Sequence, residues 1–163
     1  MMYHDFRQVA QELSRVLDES AKDLAAISEE EASKPRAPGK WSRKEIIGHL
    51  IDSASNNHQR FVRAVQGRGG EFQGYDQDGC VKLERPGDLP LAAVLNLWSS
   101  YNRYISHVLS LLPNDARAYT VRVGSYPPGT LLWLAADYVE HLKHHLNQVL
   151  GDKFSHTYPY PRL

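Results

Sequence analysis

Three histidines, His49, His141 and His145, have the residue type and spacing to hold a metal ion. A Zn²⁺-class ion needs neutral imidazole nitrogens converging from rigid elements, and three protein ligands with an open position is the catalytic arrangement. His141 and His145 stand four apart in Tyr138-Val-Glu-His-Leu-Lys-His-His-Leu146, so on a helix they stack one turn apart on one face. His49 precedes His141 by 92 residues and must arrive from a different helix. A His-x-x-x-His pair alone is also common as ordinary surface or core histidine. Eight histidines in 163 residues raise the chance of a coincidental pair, so the third histidine carries the argument.

The elements that must position these residues are helices. From Phe6 to Ile27 apolar residues recur at three- and four-residue steps, and Ser42-Arg-Lys-Glu45 reads as a capping box that opens a second helix. Gly67-Arg-Gly-Gly ends that helix and begins a stretch of roughly twenty residues without periodicity, a length that tends to be functional. Asp88 is placed to cap a third helix with Pro90 in its first turn. Thr130 is placed to cap a fourth, which Gly151 ends. Helices over roughly 5–29, 43–66, 89–112 and 131–150 in a single domain, 1–163, with no credible sheet, give an all-α four-helix bundle with a long crossover connection. Tyr119–Val123 is expected to be a minor extended piece, and the tail Thr157-Tyr-Pro-Tyr-Pro-Arg162 to be extended.

A helical wheel relates the histidines to the core. With His141 at zero, Leu134 falls at about 20°, His145 at about 40°, Tyr138 at about 60° and Gln148 at about 340°, while the apolar arc of Leu131, Leu142, Ala135, Leu146 and Val139 spans about 80° to about 180°. The pair therefore sits at the edge of the buried face, with His144 further out. With His49 at zero, Arg60 lies at about 20°, Ser53 at about 40° and Asn56 at about 340°, a polar stripe suited to a pocket leading from a metal. Asp52, at about 300°, is placed to orient a ligand from behind. The wheel offers no Asp or Glu on the inner edge as a base, since Glu140 points about 100° from His141.

Lys plus Arg and Asp plus Glu both number 19, so the chain carries no electrostatic footprint for nucleic acid or an anionic membrane. The one cysteine, Cys80, fits a reducing compartment, lacks an activating partner in sequence and excludes an internal disulfide. The chain has no membrane-length apolar run and no signal-peptide core, so the expected location is cytoplasmic. It has neither a Gly-rich phosphate loop nor a serine nucleophile elbow.

Trp41-Ser-Arg-Lys-Glu-Ile-Ile-Gly-His49-Leu-Ile-Asp52-Ser53, followed by Asn56 and Arg60-Phe61, resembles the second helix of the DinB/YfiT-like superfamily. Tyr75-Asp76-Gln77 resembles the Pro-Tyr-Asp segment of the YfiT branch, with Gly74 in place of the proline. Tyr138 and His141-Leu-Lys-His144-His145, with Gln148 beyond, is similar to that branch's fourth-helix motif. The resemblance implies one divalent metal ion, zinc or nickel, on His49, His141 and His145. It also implies a homodimer. Tyr75 and Asp76 are expected to close over the site from the long loop. Family members carry the label of metal-dependent hydrolases, and some relatives are thiol S-transferases or isomerases. YfiT-like chains often have a histidine where Gly48 stands, a departure that bears on substrate rather than on metal.

The expected activity is therefore metal-dependent chemistry on a small-molecule substrate, by hydrolysis or by transfer of a low-molecular-weight thiol. In hydrolysis the ion lowers the pKa of a coordinated water from about 15.7 towards about 7. In transfer it holds a thiol as thiolate, which needs no dedicated base, so the missing acid favours this route. Asn56 and Arg60 are expected to bind a polar or carboxylate-bearing part of the substrate. The rival reading is a non-catalytic, metal-stabilised bundle acting as a stress-response interaction module, its site closed by His58, His144 or Asp52.

Overall fold

A computed structural model describes residues 3–161. Four long helices form the bundle: α1 (Phe6–Ala25), α3 (Arg43–Gly67), α5 (Leu91–Leu111) and α6 (Leu131–Leu150), with two short helices, α2 (Glu29–Ser33) and α4 (Gln77–Glu84), between them. α1 and α3 each pack against both α5 and α6, so the order around the bundle is α1, α5, α3, α6. Consecutive long helices α1 and α3 are thus diagonal, as are α5 and α6, and both connections cross the end of the bundle. The core between them contains Leu13, Leu17, Ile46, Ile47, Leu50, Phe61, Trp98, Ile105, Leu131 and Leu142, each at most 2% exposed. Among the described residues, no helix is long and apolar enough to cross a membrane.

Local chemistry sets the starts of the helices that carry the histidines. At α3 the Ser42 side chain accepts from Glu45 N and the Glu45 carboxylate accepts from Ser42 N at 2.7 Å, the expected capping box. At α6 the Thr130 hydroxyl accepts from Trp133 N at 3.1 Å, and Gly151 closes the helix in a positive-φ conformation. The expected cap of α5 is corrected. Asp88 lies in a 3₁₀ turn (Pro86–Asp88) and pairs with Arg85, because Leu89 and Pro90 separate it from the first helical residue. Leu91 N donates instead to Glu29 Oε2 of α2 at 2.8 Å, while Glu29 Oε1 accepts from the buried Lys44 ammonium. The expected first helix is likewise shorter, ending at Ala25, with Ser28 opening α2.

The aperiodic stretch after α3 is not structureless. It holds strand β1 (Gly70–Phe72) and α4, which buries only Val81 and so leaves no apolar stripe to read. β1 pairs in parallel with β2 (Thr120–Val123), which pairs antiparallel with β3 (Gly129–Thr130). This small sheet, not expected from sequence, ties the end of α3 to the start of α6. Gly69 is needed there: its φ is +118°, and a Cβ would lie 2.5 Å from Thr120 O. The tail folds back along α6, with Phe154 N and O bonded to Asn147, Thr157 N to Glu140, and Tyr160 N to Asp137.

Because the capping box opens the helix that carries His49, Ser42→Ala should cost about 1 kcal/mol in chemical denaturation. Ser55→Ala, on the exposed mid-helix face, should cost nothing comparable.

Candidate metal centre

α3 and α6 pack edge to edge, and their polar borders meet at the three histidines. His49 is fully buried, His141 is 8% exposed and His145 is half-buried. One ring nitrogen from each lies within 4.8 Å of the other two. His49 Nε2 and His141 Nε2 are 3.3 Å apart. Two nitrogens each about 2.1 Å from one tetrahedral ion stand about 3.4 Å apart, so this spacing fits shared ligation.

The surroundings aim the rings. His145 Nδ1 donates to Gln148 Oε1 at 3.0 Å, which leaves Nε2 with its lone pair. Ser53 Oγ lies 3.5 Å from His141 Nδ1 and can fix that ring the same way. Among the described residues His49 Nδ1 has no hydrogen-bond partner; the Trp41 ring, 5.1 Å from the His49 ring, holds it by packing. Burial lowers the pKa of His49 to about 4. Burial and then the charge of His49 lower His145 to about 4, and burial followed by its histidine neighbours takes His141 well below the ordinary value. All three are neutral at pH 7, as ligation requires. The donor set and its spacing fit a Zn²⁺-class divalent ion.

No fourth protein ligand completes the set among the described residues. His144 Nε2 accepts from Gln148 Nε2 at 3.1 Å. His58 Nδ1 is bonded to Tyr101 Oη at 3.0 Å. Asp52 turns away from the imidazoles towards Cys80 and Glu84, the three ligand atoms within 4.8 Å of one another. Burial and then the Glu84 charge raise the Asp52 carboxyl to about 6. Burial and the nearby carboxylates raise the Cys80 thiol, which leaves it a poor nucleophile.

A cavity of about 520 Å³ opens from His141. Of the residues expected near the site, Ser53, Arg60, Tyr75 and Tyr138 line it, whereas Asn56, Asp76 and Gln148 do not. Asn56 Nδ2 donates to Asp52 O on its own helix, and Asp76 is the exposed N-cap of α4, its carboxylate accepting from Gly79 N. Tyr138 presents its ring to the cavity while its hydroxyl bonds the buried Asn102.

The lining also contains residues that the sequence did not single out for the site, among them Asn57, Asp137 and Tyr158. Asp137 precedes His141 by one turn and lies at about 320° on the same wheel, so the signal was present. Asn57, at about 80° from His49, stood out only as a polar residue near the apolar arc. Tyr158, whose ring meets His141 at 5.0 Å, comes from the tail and gave no periodic signal. Gly48, next to His49 in sequence, packs against Pro86: a Cβ there would lie 2.4 Å from Pro86 Cγ, so the proline ring occupies the space that a larger residue would need.

Replacing His49, His141 or His145 by Ala should weaken metal binding by orders of magnitude, His144→Ala should be mild, and Gln148→Ala should cost roughly 10–100-fold, read by competition with a chromophoric chelator. Equal losses for His144 and His145 would place the ion on another face. A second outcome follows from burial. Unfolded imidazoles take protons near about 6.5, the folded ones only near about 4. The unfolded state thus binds more protons in between, and metal-free protein should lose stability as pH falls from about 6.5 to about 4. Denaturant midpoints should show a shallower pH dependence in His145→Gln.

The DinB superfamily profile matches residues 6–149. A Bacillus mycoides (strain KBAB4) protein named "Putative metal-dependent hydrolase" is 24% identical over 139 residues, covering 83% of this chain and 78% of the relative. Among solved structures, Bacillus subtilis YfiT, described as "a probable metal-dependent hydrolase with an unusual four-helix bundle topology", matches with a TM-score of 0.70 at 20% identity, over 88% of this chain and 81% of that one. The four-helix architecture is therefore shared, and with the profile running from the first turn of α1 to the last turn of α6, the chain belongs to the DinB superfamily.

Proposed function

We propose that this protein is a metal-dependent hydrolase acting on a small molecule bound in the cavity beside His141. The observation that carries the reading is a three-histidine cluster whose His141 lines a cavity, with the carboxylate-bearing Asp137 on the wall of the same cavity. His49, His141 and His145 would hold a divalent ion, which would supply Lewis-acid chemistry at this end of the cavity. The chain's own residues do the rest. Gln148 orients His145, and Ser53 stands where it can orient His141. Asp137, one turn from His141, takes the proton from the attacking water. Tyr158 and Tyr138 wall the cavity and limit solvent access. The names of the two relatives support this reading.

Asp137 also changes the balance between the two routes weighed from sequence, because the apparent lack of an acid was the reason to favour thiol transfer. That route keeps one supporting observation. Asp137 Oδ1 already accepts from Tyr160 N at 2.9 Å, and a thiol substrate needs no protein base.

Metal-loaded protein assayed on esters and amides, with and without added thiol, separates the two. Asp137→Asn should reduce hydrolysis by roughly 10²–10⁴-fold while leaving metal content unchanged. Thiol-dependent turnover that exceeds hydrolysis and survives Asp137→Asn would favour transfer instead. Either activity persisting in His145→Ala would rule out the metal centre as its source.

A further inference from the structure

Among the described residues, Arg60 is a buried cation without an anion. It is 8% exposed, and its guanidinium donates to two neutral acceptors, Gln73 O at 3.0 Å and Asn57 Oδ1 at 3.3 Å. No carboxylate lies within ion-pair distance of it among the described residues, whereas the other buried cations, Lys44 and Lys143, both have one. Burial alone pulls its pKa below the ordinary value, with only Tyr75 acting against that. A charge held out of water in this way is costly unless something pairs with it, and a planar guanidinium offers a carboxylate two parallel N–H donors.

Arg60 lines the same cavity as His141, and the other walls are largely aromatic, from Tyr75, Tyr126, Trp133 and Tyr158. Among the described residues, the charged ones on the lining are Arg60 and Asp137, the second on α6 and bonded through Oδ1 to Tyr160 N. One cation suits one negative charge; a phosphate dianion would call for more. Ser53, beside His141, and Arg60 are seven residues apart on α3, about 10 Å along its axis. The anionic end and the reacting bond are therefore separated by the body of the ligand.

We infer that the substrate is a monocarboxylate with a flat apolar or aromatic body, its carboxylate paired with Arg60 and its reacting group at the His141 end. The inference rests on the hydrolase reading for what happens to the substrate, not for how it is held. Asn57 serves as a positioning residue: it accepts from Arg60 and donates to Ser53 O at 2.9 Å, which links the anion subsite to the α3 backbone beside the histidines.

The test is calorimetric titration of chelator-treated protein at pH 7 with two matched pairs, benzoate against benzamide and 3-phenylpropanoate against 3-phenylpropanamide. Removing the metal prevents a carboxylate from binding to the ion instead. In the wild type the carboxylates should bind roughly 10–100-fold more tightly than their amides, the range of a charge-assisted hydrogen bond. Arg60→Gln should close that gap, and Arg60→Lys should retain part of it. Because the titration is run without metal, it reads the Arg60 subsite alone, and failure of the metal reading would show in metal binding and metal-dependent turnover instead. Carboxylates that bind no better than their amides in the wild type, or not at all, overturn the inference, as does a gap that survives Arg60→Gln. The wild-type comparison needs no variant to fold.

Discussion

The site depends on one contact, the edge-to-edge packing of α3 on α6 that brings His49 against His141 and His145 out of water. Burial does two things at once. It keeps the three imidazoles neutral, with His49 and His145 lowered to about 4, and it holds two ring nitrogens 3.3 Å apart with little freedom to separate. The bundle order makes the contact unavoidable, since α3 and α6 are neighbours while their sequence predecessors, α1 and α5, lie diagonal to them. The apolar stripes that drive this packing are the ones whose borders carry the histidines.

Around that contact, the irregular parts of the chain form the rest of the pocket. The three-stranded sheet joins the end of α3 to the start of α6. The tail returns along α6, its backbone amides bonded to Glu140 and Asp137, and sets Tyr158 against His141. Glu140, adjacent to His141 in sequence, is occupied on the opposite side with Tyr3 Oη and the Lys143 ammonium, each at 2.8 Å. The acid next to the ligand thus serves stability, and the acid one turn away faces the cavity.

Much of this was legible in the sequence, for a physical reason. Helix periodicity reports where a side chain points, so it placed His49, His141 and His145 at matching borders and sent Glu140 away from them. The same arithmetic puts Asp137 about 40° from His141, on the side away from the apolar arc, where the periodicity gives no sign that a cavity opens. Periodicity says nothing about short elements. α4 buries a single side chain, β3 has two residues, and the tail is held by backbone amides whose partners lie on α6. Nor could spacing show that Asp52 turns towards Glu84 and Cys80, that Asp76 is spent on capping, or that a proline ring fills the space beside Gly48. These are tertiary facts, and they are the ones that distinguish a pocket from a stripe of polar residues.

X-ray absorption at the metal edge of zinc-loaded protein, purified without a histidine tag, tests the central claim most directly, because it counts the ligands. The account predicts one ion per chain with three imidazole nitrogens and a further light atom at about 2.0–2.1 Å, and no sulfur scatterer. A sulfur ligand at about 2.3 Å, a fourth imidazole, or no ion bound at all would contradict it.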